Sequence, residues 1–373
     1  MNIPLLDIHA QHDSIREELN DAIRSVVESG RYIGGAPLSD FESSFARFCG
    51  AKRAIGVSSG TDAVTLALRG CGVGPGDEVI TTAFTFIATV ESIAEVGANP
   101  VLVDVDPDTA LATVDVVEDA ISDKTAAILV VHLYGQPVDL PAFRELAERR
   151  GLALIEDAAQ AHGAEFDGLR VGAVGRAAAF SFFPGKNLGA LGDAGGITTG
   201  DGALADRIAA LRDHGRLDKY RHEELGVNAR MDTLQAAILA VKLKRLGEWN
   251  EARRRHATFY EEAFADVDGI EPLTVDERAT HVYHQYVVRV DDRDGAVAAL
   301  KAAGVAAGVH YPIPLHRQPA LAESHGYLSL PACESLAERV LSLPVYPELT
   351  DEQRSHVAQA VTDHVRSRSG VAS

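Results

Sequence analysis

The chain has 373 residues, enough for two or three domains, although a large α/β domain can exceed the usual length of one. Its hydrophobic fraction of 46% and charged fraction of 24% are those of an ordinary globular protein with a substantial core. The net charge of −19 argues against nucleic acid or an anionic membrane surface as the main partner, so an anionic ligand would need a local basic cluster.

Cysteine and histidine spacing argues against metal sites. The three cysteines, Cys49, Cys71 and Cys333, are scattered and lack CxxC spacing, which indicates neither a disulfide framework nor a zinc site. The histidines of the C-terminal third do not have metal-ligand spacing. The first residues do not resemble a signal or transit peptide, and no apolar stretch approaches membrane-spanning length. We therefore expect a cytoplasmic protein without a bound metal.

After two predicted helices, a strand at residues 54–57 leads through the small residues 58–63 into a further helix. Such a turn directs free backbone N–H groups and the positive helix end to one spot, where a phosphate would bind. The alternative is a helix that is only capped, with Ser59 or Thr61 as its N-cap. The residues alone do not decide between these two interpretations.

Strands near 79–83, 100–106, 126–133 and 152–157 then alternate with predicted helices. This alternation predicts an α/β fold with a mainly parallel sheet covered by helices on both faces. Phe84 follows one of the strands. Its ring could lie flat against a bound heterocycle, or it could pack in the core.

Residues 152–187 contain the strongest chemical signal. An apolar strand ends at Glu156 and Asp157, and a second apolar run, 177–183, breaks at Pro184 and Gly185 directly before Lys186. In α/β folds, the C-terminal ends of the strands meet the ligand. An amine and a carboxylate held there suit pyridoxal 5′-phosphate (PLP), since the lysine would bind the cofactor covalently and the acid would keep its pyridine nitrogen protonated. The alternative is an exposed loop lysine and a helix-capping aspartate.

Residues 214–222 form one dense basic segment in an acidic chain, either a solvated surface or an anion clamp. A long helical pattern over 232–264 follows and predicts a helix that crosses between two domains. The predicted domains are a large one, 1–245, which includes the N-terminal helices, and a smaller C-terminal α/β unit, 246–373.

Six motifs occur in one order along nearly the whole chain. They are SSGTDA (58–63), TFIAT (85–89), HLYGQ (132–136), IEDAAQAHGA (155–164), SFFPGKNLGALGDAGG (181–196) and VNARMDTLQAA (227–237). Together they resemble the DegT/StrS-type nucleotide-sugar aminotransferases, a branch of the fold type I PLP enzymes. The resemblance implies a large domain with a mainly parallel mixed sheet, a smaller C-terminal α/β domain, and a homodimer with shared active sites.

The resemblance also implies residue roles. Lys186 would bind the cofactor and shuttle a proton, and Asp157 would pair with the pyridinium nitrogen. Cofactor contacts are implied for Gly60, Thr61, Phe84, Gln160, Ser181 and, reaching across from the partner subunit, Asn228. Phe84 would stack on the ring, Gln160 would lie by the phenolic oxygen, and Gly60, Thr61, Ser181 and Asn228 would hold the phosphate. Substrate contacts are predicted for Lys219, Tyr220, Arg221, His310 and Tyr311, the first three at the substrate diphosphate. The chain departs from the resembling sequences at Ser59 and Phe183, where they often carry Asn and Tyr.

The implied reaction moves the amino group of L-glutamate to a keto group of a deoxy sugar linked to a nucleoside diphosphate, with pyridoxamine phosphate formed on the way. The loop 310–319 looks more like that of enzymes acting on 3-keto sugars, which favours a dTDP-3-keto-6-deoxyhexose. A 4-keto sugar nucleotide or a keto-cyclitol is the alternative acceptor, whereas the related dehydratases replace the lysine with histidine. A non-catalytic regulator that retains the fold is the alternative from another class, and the intact Lys186, Asp157 and Ser181 argue against it.

Overall fold

The computed structural model describes residues 1–369, in which the strands form three sheets. The strands are β1 (Arg53–Val57), β2 (Glu78–Thr82), β3 (Asn99–Val103), β4 (Thr125–Val131), β5 (Ala153–Asp157), β6 (Glu165–Phe166), β7 (Leu169–Arg170), β8 (Ala177–Ser181), β9 (Gly195–Thr199), β10 (Glu271–Pro272), β11 (Ala279–Thr280), β12 (Tyr286–Arg289) and β13 (Val340–Leu343).

Helices connect most of these strands. They are α1 (Ile8–Ser14), α2 (Arg16–Ser29), α3 (Ala36–Cys49), α4 (Gly60–Gly70), α5 (Ala88–Glu95), α6 (Val114–Asp119), α7 (Leu140–Arg150), α8 (Gly202–Leu211), α9 (Thr233–Leu243), α10 (Leu246–Phe264), α11 (Arg293–Ala302), α12 (Ala322–His325), α13 (Pro331–Arg339) and α14 (Asp351–Ser369). Among the helices of residues 1–369, none combines the length and the apolar character that a membrane span needs.

The main sheet has seven strands in the order β1-β9-β8-β5-β4-β2-β3. Strand β9 runs antiparallel to both of its neighbours, and the remaining neighbours pair in parallel. The prediction of a mainly parallel sheet in an α/β fold is therefore confirmed.

Both faces of this sheet are buried. Alternate residues of a strand point to opposite faces, and Ile128 of β4 belongs to one apolar cluster while its neighbour Leu129 belongs to another. Helices α3 and α7 contribute to the first cluster, and α4 and α8 contribute to the second. With helices over both faces, ligands can reach the sheet at its edges and strand ends.

The C-terminal third has its own core around the antiparallel sheet β10-β12-β13. Side chains of α10, α11 and α14 pack there, as does Ile3, whose N–H donates to Gly304 O at 2.8 Å. The first residues of the chain thus pack with this unit, whereas the predicted division assigned all of 1–245 to the large domain. The division itself stays a prediction.

The predicted single helix over 232–264 is wrong, because the structure has two helices there. The last turn of α9 closes with i→i−3 bonds, from Lys244 N to Val241 O (3.3 Å) and from Arg245 N to Lys242 O (3.0 Å). Helix α10 then starts again with the bond from Trp249 N to Arg245 O at 3.0 Å. The break lies at Lys244 and Arg245, with Gly247 as the second residue of α10, and the apolar pattern continues through these positions.

Candidate active site

A cavity of about 480 Å³ opens at the C-terminal ends of the parallel strands. Its wall includes residues at or directly after the ends of β1, β4, β5 and β8. The predicted site residues that line it are Gly60, Thr61, Asp157, Gln160, Ser181, Lys186, His310 and Tyr311. Motifs that lie far apart in the sequence therefore meet in one cavity.

The first turn of α4 forms one end of the cavity. Ser59 is the N-cap, since its Oγ accepts the N–H of Asp62 at 3.0 Å, and Gly60 and Thr61 begin the helix. The two interpretations of this turn are compatible, because the capped helix also faces the cavity with its positive end. A Cβ on Gly60 would lie 2.6 Å from Cβ of Ser181, so only glycine allows this close approach. The N–H groups of the first turn and the Ser181 hydroxyl form a cradle that fits a phosphate.

Asp157 ends β5 in a buried position with defined partners. Its Oδ2 accepts the Thr89 hydroxyl at 2.9 Å, and its Oδ1 accepts the Ala159 N–H at 3.2 Å. Burial raises the pKa of Asp157, while the two hydrogen bonds and the nearby positive charge of Lys186 oppose that rise. A protonated pyridine nitrogen at this carboxylate would add a further cation that favours its charged form.

Lys186 presents its amine to the same cavity rather than to the outer surface. Burial lowers the pKa of Lys186 to about 8, and the charge of Asp157 limits that fall. At this pKa about a tenth of the amine is neutral at pH 7 and about half at pH 8, and the neutral form is the one that attacks an aldehyde.

Gln160 joins two segments of the chain at the cavity wall. Its Oε1 accepts the N–H of Tyr134 at 2.6 Å, and its Nε2 donates to the hydroxyl of Tyr311 at 3.3 Å. The hydroxyl of Tyr134 in turn donates to the carbonyl of His310. The loop that carries His310 and Tyr311 is thus tied directly to the strand ends.

The predicted stacking role of Phe84 is wrong. Phe84 is fully buried in the apolar core and does not line the cavity, whereas Phe86 lines it and is 54% exposed. The ring of Phe86 lies 6.1 Å from that of Tyr311, centroid to centroid. Strand β2 ends at Thr82, and the following bend directs Phe84 into the core and Phe86 outwards.

Besides Phe84, four predicted residues lie outside the cavity of their own chain. Lys219, Tyr220 and Arg221 are exposed on a small hairpin, closed by the bond from Leu217 N to Arg221 O at 3.0 Å. Asn228 is also exposed and pairs with Asp213 through a single bridge. Their assignment to substrate and cofactor across a dimer stays a prediction.

Several residues of the cavity wall were not predicted from the sequence. They are Leu5, Leu6, Phe86, Thr89, His132, Asp193, Arg253 and His284. Phe86, Thr89, His132 and Asp193 lie within the motifs 85–89, 132–136 and 181–196, which is the signal that could have found them. The others reach the cavity through long-range packing. Among residues 1–369, no group of three or more His, Cys, Asp or Glu side chains could hold a metal ion.

A half-buried amine, a buried carboxylate and a helix N-terminus around one cavity define a binding site of the kind used by PLP-dependent enzymes of the α/β class. The chain belongs to the DegT/DnrJ/EryC1/StrS aminotransferase family, whose family model matches residues 13–362. It is a PLP-dependent sugar aminotransferase.

Two relatives of similar identity are described differently, one as a regulatory protein and one as an enzyme. The chain is 48% identical over 372 residues to a "pleiotropic regulatory protein" of Geobacillus stearothermophilus, covering 98% of this chain and 99% of the relative. It is 46% identical over 363 residues to a dTDP-3-amino-3,4,6-trideoxy-alpha-D-glucose transaminase of Streptomyces venezuelae, covering 97% and 96%.

Solved structures agree with the fold and the cofactor. DesV of S. venezuelae, in complex with a ketimine intermediate, matches with a TM-score of 0.96 at 44% identity over 98% of each chain. NtdA of Bacillus subtilis, with bound cofactor PMP (the pyridoxamine form), matches with a TM-score of 0.92 at 32% identity, covering 98% of this chain and 85% of that one.

Proposed function

We propose that this protein transfers the amino group of L-glutamate to the 3-keto group of a dTDP-linked 6-deoxyhexose. The observation that carries the proposal is the meeting of Lys186, Asp157 and the first turn of α4 in one cavity, together with an exposed basic hairpin outside it. The groups in the cavity support amino transfer, and the basic hairpin supports an acceptor that carries a diphosphate.

Each of these cavity residues would have a distinct role in such a reaction. PLP, when bound, supplies an electron sink and carries the amino group from one substrate to the other. Asp157, held by Thr89 and Ala159, would keep a positive charge on the ring nitrogen. Lys186, whose pKa burial lowers to about 8, would give up and take back a proton at its Nζ.

The anionic end of the acceptor needs positive charge, which a chain of net charge −19 offers at few places. Lys219 and Arg221 offer it on the exposed hairpin, although their own chain's cavity does not include them. We infer that a second copy of the chain brings this hairpin and Asn228 to the cavity. The proposed active enzyme is therefore a homodimer with two shared sites in the cytoplasm.

The choice of a 3-keto sugar is supported by the loop 310–319, from which His310 and Tyr311 line the cavity. The S. venezuelae relative is itself named for a 3-amino sugar carried on dTDP. A 4-keto sugar nucleotide and a keto-cyclitol are the acceptors against which this choice must be tested.

The proposal is tested with purified protein first converted to its pyridoxamine form. It is then offered a dTDP-3-keto-6-deoxyhexose, the 4-keto isomer and a keto-cyclitol in separate reactions. We expect an aminated product from the first, detected by mass spectrometry, and 2-oxoglutarate as coproduct when glutamate sustains turnover. Amination of the 4-keto sugar with none of the 3-keto sugar would overturn the choice of substrate.

A regulatory role is the second candidate, because one relative at 48% identity is described as a regulatory protein. The absorbance of bound PLP separates the two functions. A catalytic protein loses its visible band when L-glutamate is added without an acceptor. A regulator that only retains the fold would keep that band unchanged.

A further inference from the structure

His284 lies in the cavity wall with Lys186, and the site assigned above gives it no role. A chain of side-chain hydrogen bonds that begins at Asn187, the residue directly after Lys186, determines the orientation of its ring. These hydrogen bonds also determine which ring nitrogen carries the proton.

The side-chain amides of Asn187 and Asn250 each have only one orientation that satisfies these hydrogen bonds. Asn250 Nδ2 donates to the carbonyl of His162 at 2.8 Å, which leaves Asn250 Oδ1 to accept from Asn187 Nδ2 at 2.9 Å. Asn187 Nδ2 also donates to the carbonyl of Val282 at 2.9 Å. Because backbone carbonyls can only accept, neither amide can be flipped.

The tautomer of His284 follows from these orientations. Asn187 Oδ1, an acceptor, lies 3.2 Å from Nδ1 of His284, so Nδ1 must carry the proton. A neutral imidazole has one N–H, which leaves Nε2 with a free lone pair. Burial and the positive charges of Lys186 and Arg253 lower the pKa of His284 well below its ordinary value. The ring is therefore neutral at neutral pH.

The backbone beside His284 is also held in place. Arg253, of which only 2% is exposed, donates from Nη1 to the carbonyls of Tyr283 at 3.1 Å and Val345 at 2.5 Å. Tyr283 has a left-handed backbone conformation with φ of 44°. Both the ring of His284 and the turn that carries it are thus fixed, which is what a positioning residue requires.

We propose that Nε2 of His284 accepts a hydrogen bond from Nζ of Lys186 and that His284 thereby positions the reactive amine. The structure has no hydrogen bond between these two atoms, so the contact requires a change of lysine rotamer, which its long side chain allows. The inference goes beyond the proposed function, because it holds for any acceptor sugar. It rests on Lys186 as the reactive amine, which borohydride labelling tests separately.

Two substitutions separate a positioning role from a structural one. His284→Gln can present an acceptor near the position of Nε2 but loses the Nδ1–H that binds Asn187. His284→Asn can keep the contact with Asn187 but has no group at the position of Nε2. Both leave the charged and titratable groups that face the pair unchanged: Asp157, His162, Arg253 and His310.

The measurement is the pKa of Lys186 in the full-length chain freed of cofactor, taken from the pH dependence of its reductive methylation and read by peptide mass spectrometry. An acceptor stabilises the ammonium form, so its loss in His284→Asn should lower the pKa of Lys186 by about 1. At pH 6.5 this variant should be methylated about tenfold faster than wild type. His284→Gln should stay close to wild type.

An unchanged rate in His284→Asn would overturn the proposal. So would a rate in His284→Gln that rises as much as in His284→Asn, because loss of the contact with Asn187 would then explain both. Cooperative melting of each variant checks that it is folded. If neither variant folds, a neutron structure of the wild-type protein decides, and deuterium on Nε2 would contradict the inference.

Discussion

Gly60→Ala tests whether the cofactor phosphate lies between α4 and the end of β8. Gly60 does not have a left-handed backbone conformation, so alanine adds no backbone strain there. The added Cβ would meet Ser181, at 2.6 Å from its Cβ and 3.0 Å from its Oγ. The substitution therefore perturbs the contact between α4 and the end of β8, where the cradle lies.

The size of the effect follows from these distances. To reach an ordinary contact of 3.4 Å, the two segments must separate by about 0.8 Å. Such overpacking typically costs about 1–3 kcal/mol of stability. A hydrogen bond of about 2.9 Å lengthened by this amount exceeds the limit for a useful bond. Losing one charge-assisted bond to the phosphate costs about 1.5–3 kcal/mol, so the Kd for PLP should rise about 10- to 100-fold.

Gly202→Ala is the matched control, because Gly202 is likewise the first residue of a helix, α8, and a Cβ there meets nothing within 4 Å. We expect Gly202→Ala to bind PLP as wild type does and to melt at the same temperature or slightly higher. The Kd is measured by equilibrium dialysis, and melting is followed in the cofactor-free protein. Wild-type affinity in a folded Gly60→Ala protein would refute the phosphate site.

Four further predictions concern the amine, the carboxylate and the shared site. Lys186→Ala should fold, but borohydride should no longer fix cofactor to the chain; label on another lysine would contradict the assignment. The rate of covalent PLP capture by wild type should rise about tenfold per pH unit up to about pH 8 and then level, because only the neutral amine of Lys186 reacts; a rate already level at pH 6, measured by stopped-flow absorbance, would count against a buried lysine of that pKa. Asp157→Asn should lower turnover by at least about one to two decades in PLP-loaded protein, since it removes a charge-assisted pair worth about 1.5–3 kcal/mol; near wild-type turnover would give Asp157 another role. Finally, mixing Lys186→Ala chains with Asn228→Asp chains should restore activity, because one site of each mixed dimer then has both intact residues; no recovery despite proven subunit exchange would rule out the shared site.

Local sequence patterns predicted the elements that carry the chemistry. The strand ending at Asp157, the break before Lys186 and the small-residue turn at Gly60 each have a short-range signal, and the parallel sheet brings their ends together. The sequence pattern could not predict which way a side chain points after the end of a strand. Phe84 and Phe86 are equally apolar, and only packing after β2 determines which one is buried.

Contacts between segments far apart in the chain could not be predicted from the sequence. The role inferred for His284 depends on Asn187, Asn250 and two backbone carbonyls that meet only in the folded chain. The break between α9 and α10 has Gly247 beside it as a local signal, but the apolar pattern continues through the break. Periodicity reports which face of a helix is buried, but it does not report where the helix axis changes direction.

The cavity wall combines residues from the two ends of the chain, since Leu5 and Leu6 line it together with Tyr311 and Val345. During synthesis, Lys186 leaves the ribosome well before the segment that closes the wall around it. A nascent chain therefore exposes its reactive amine in an open, solvated surface, where its pKa is not lowered by burial. Full affinity for the cofactor must await translation through Val345, so cofactor loading should be one of the last events in the maturation of each subunit.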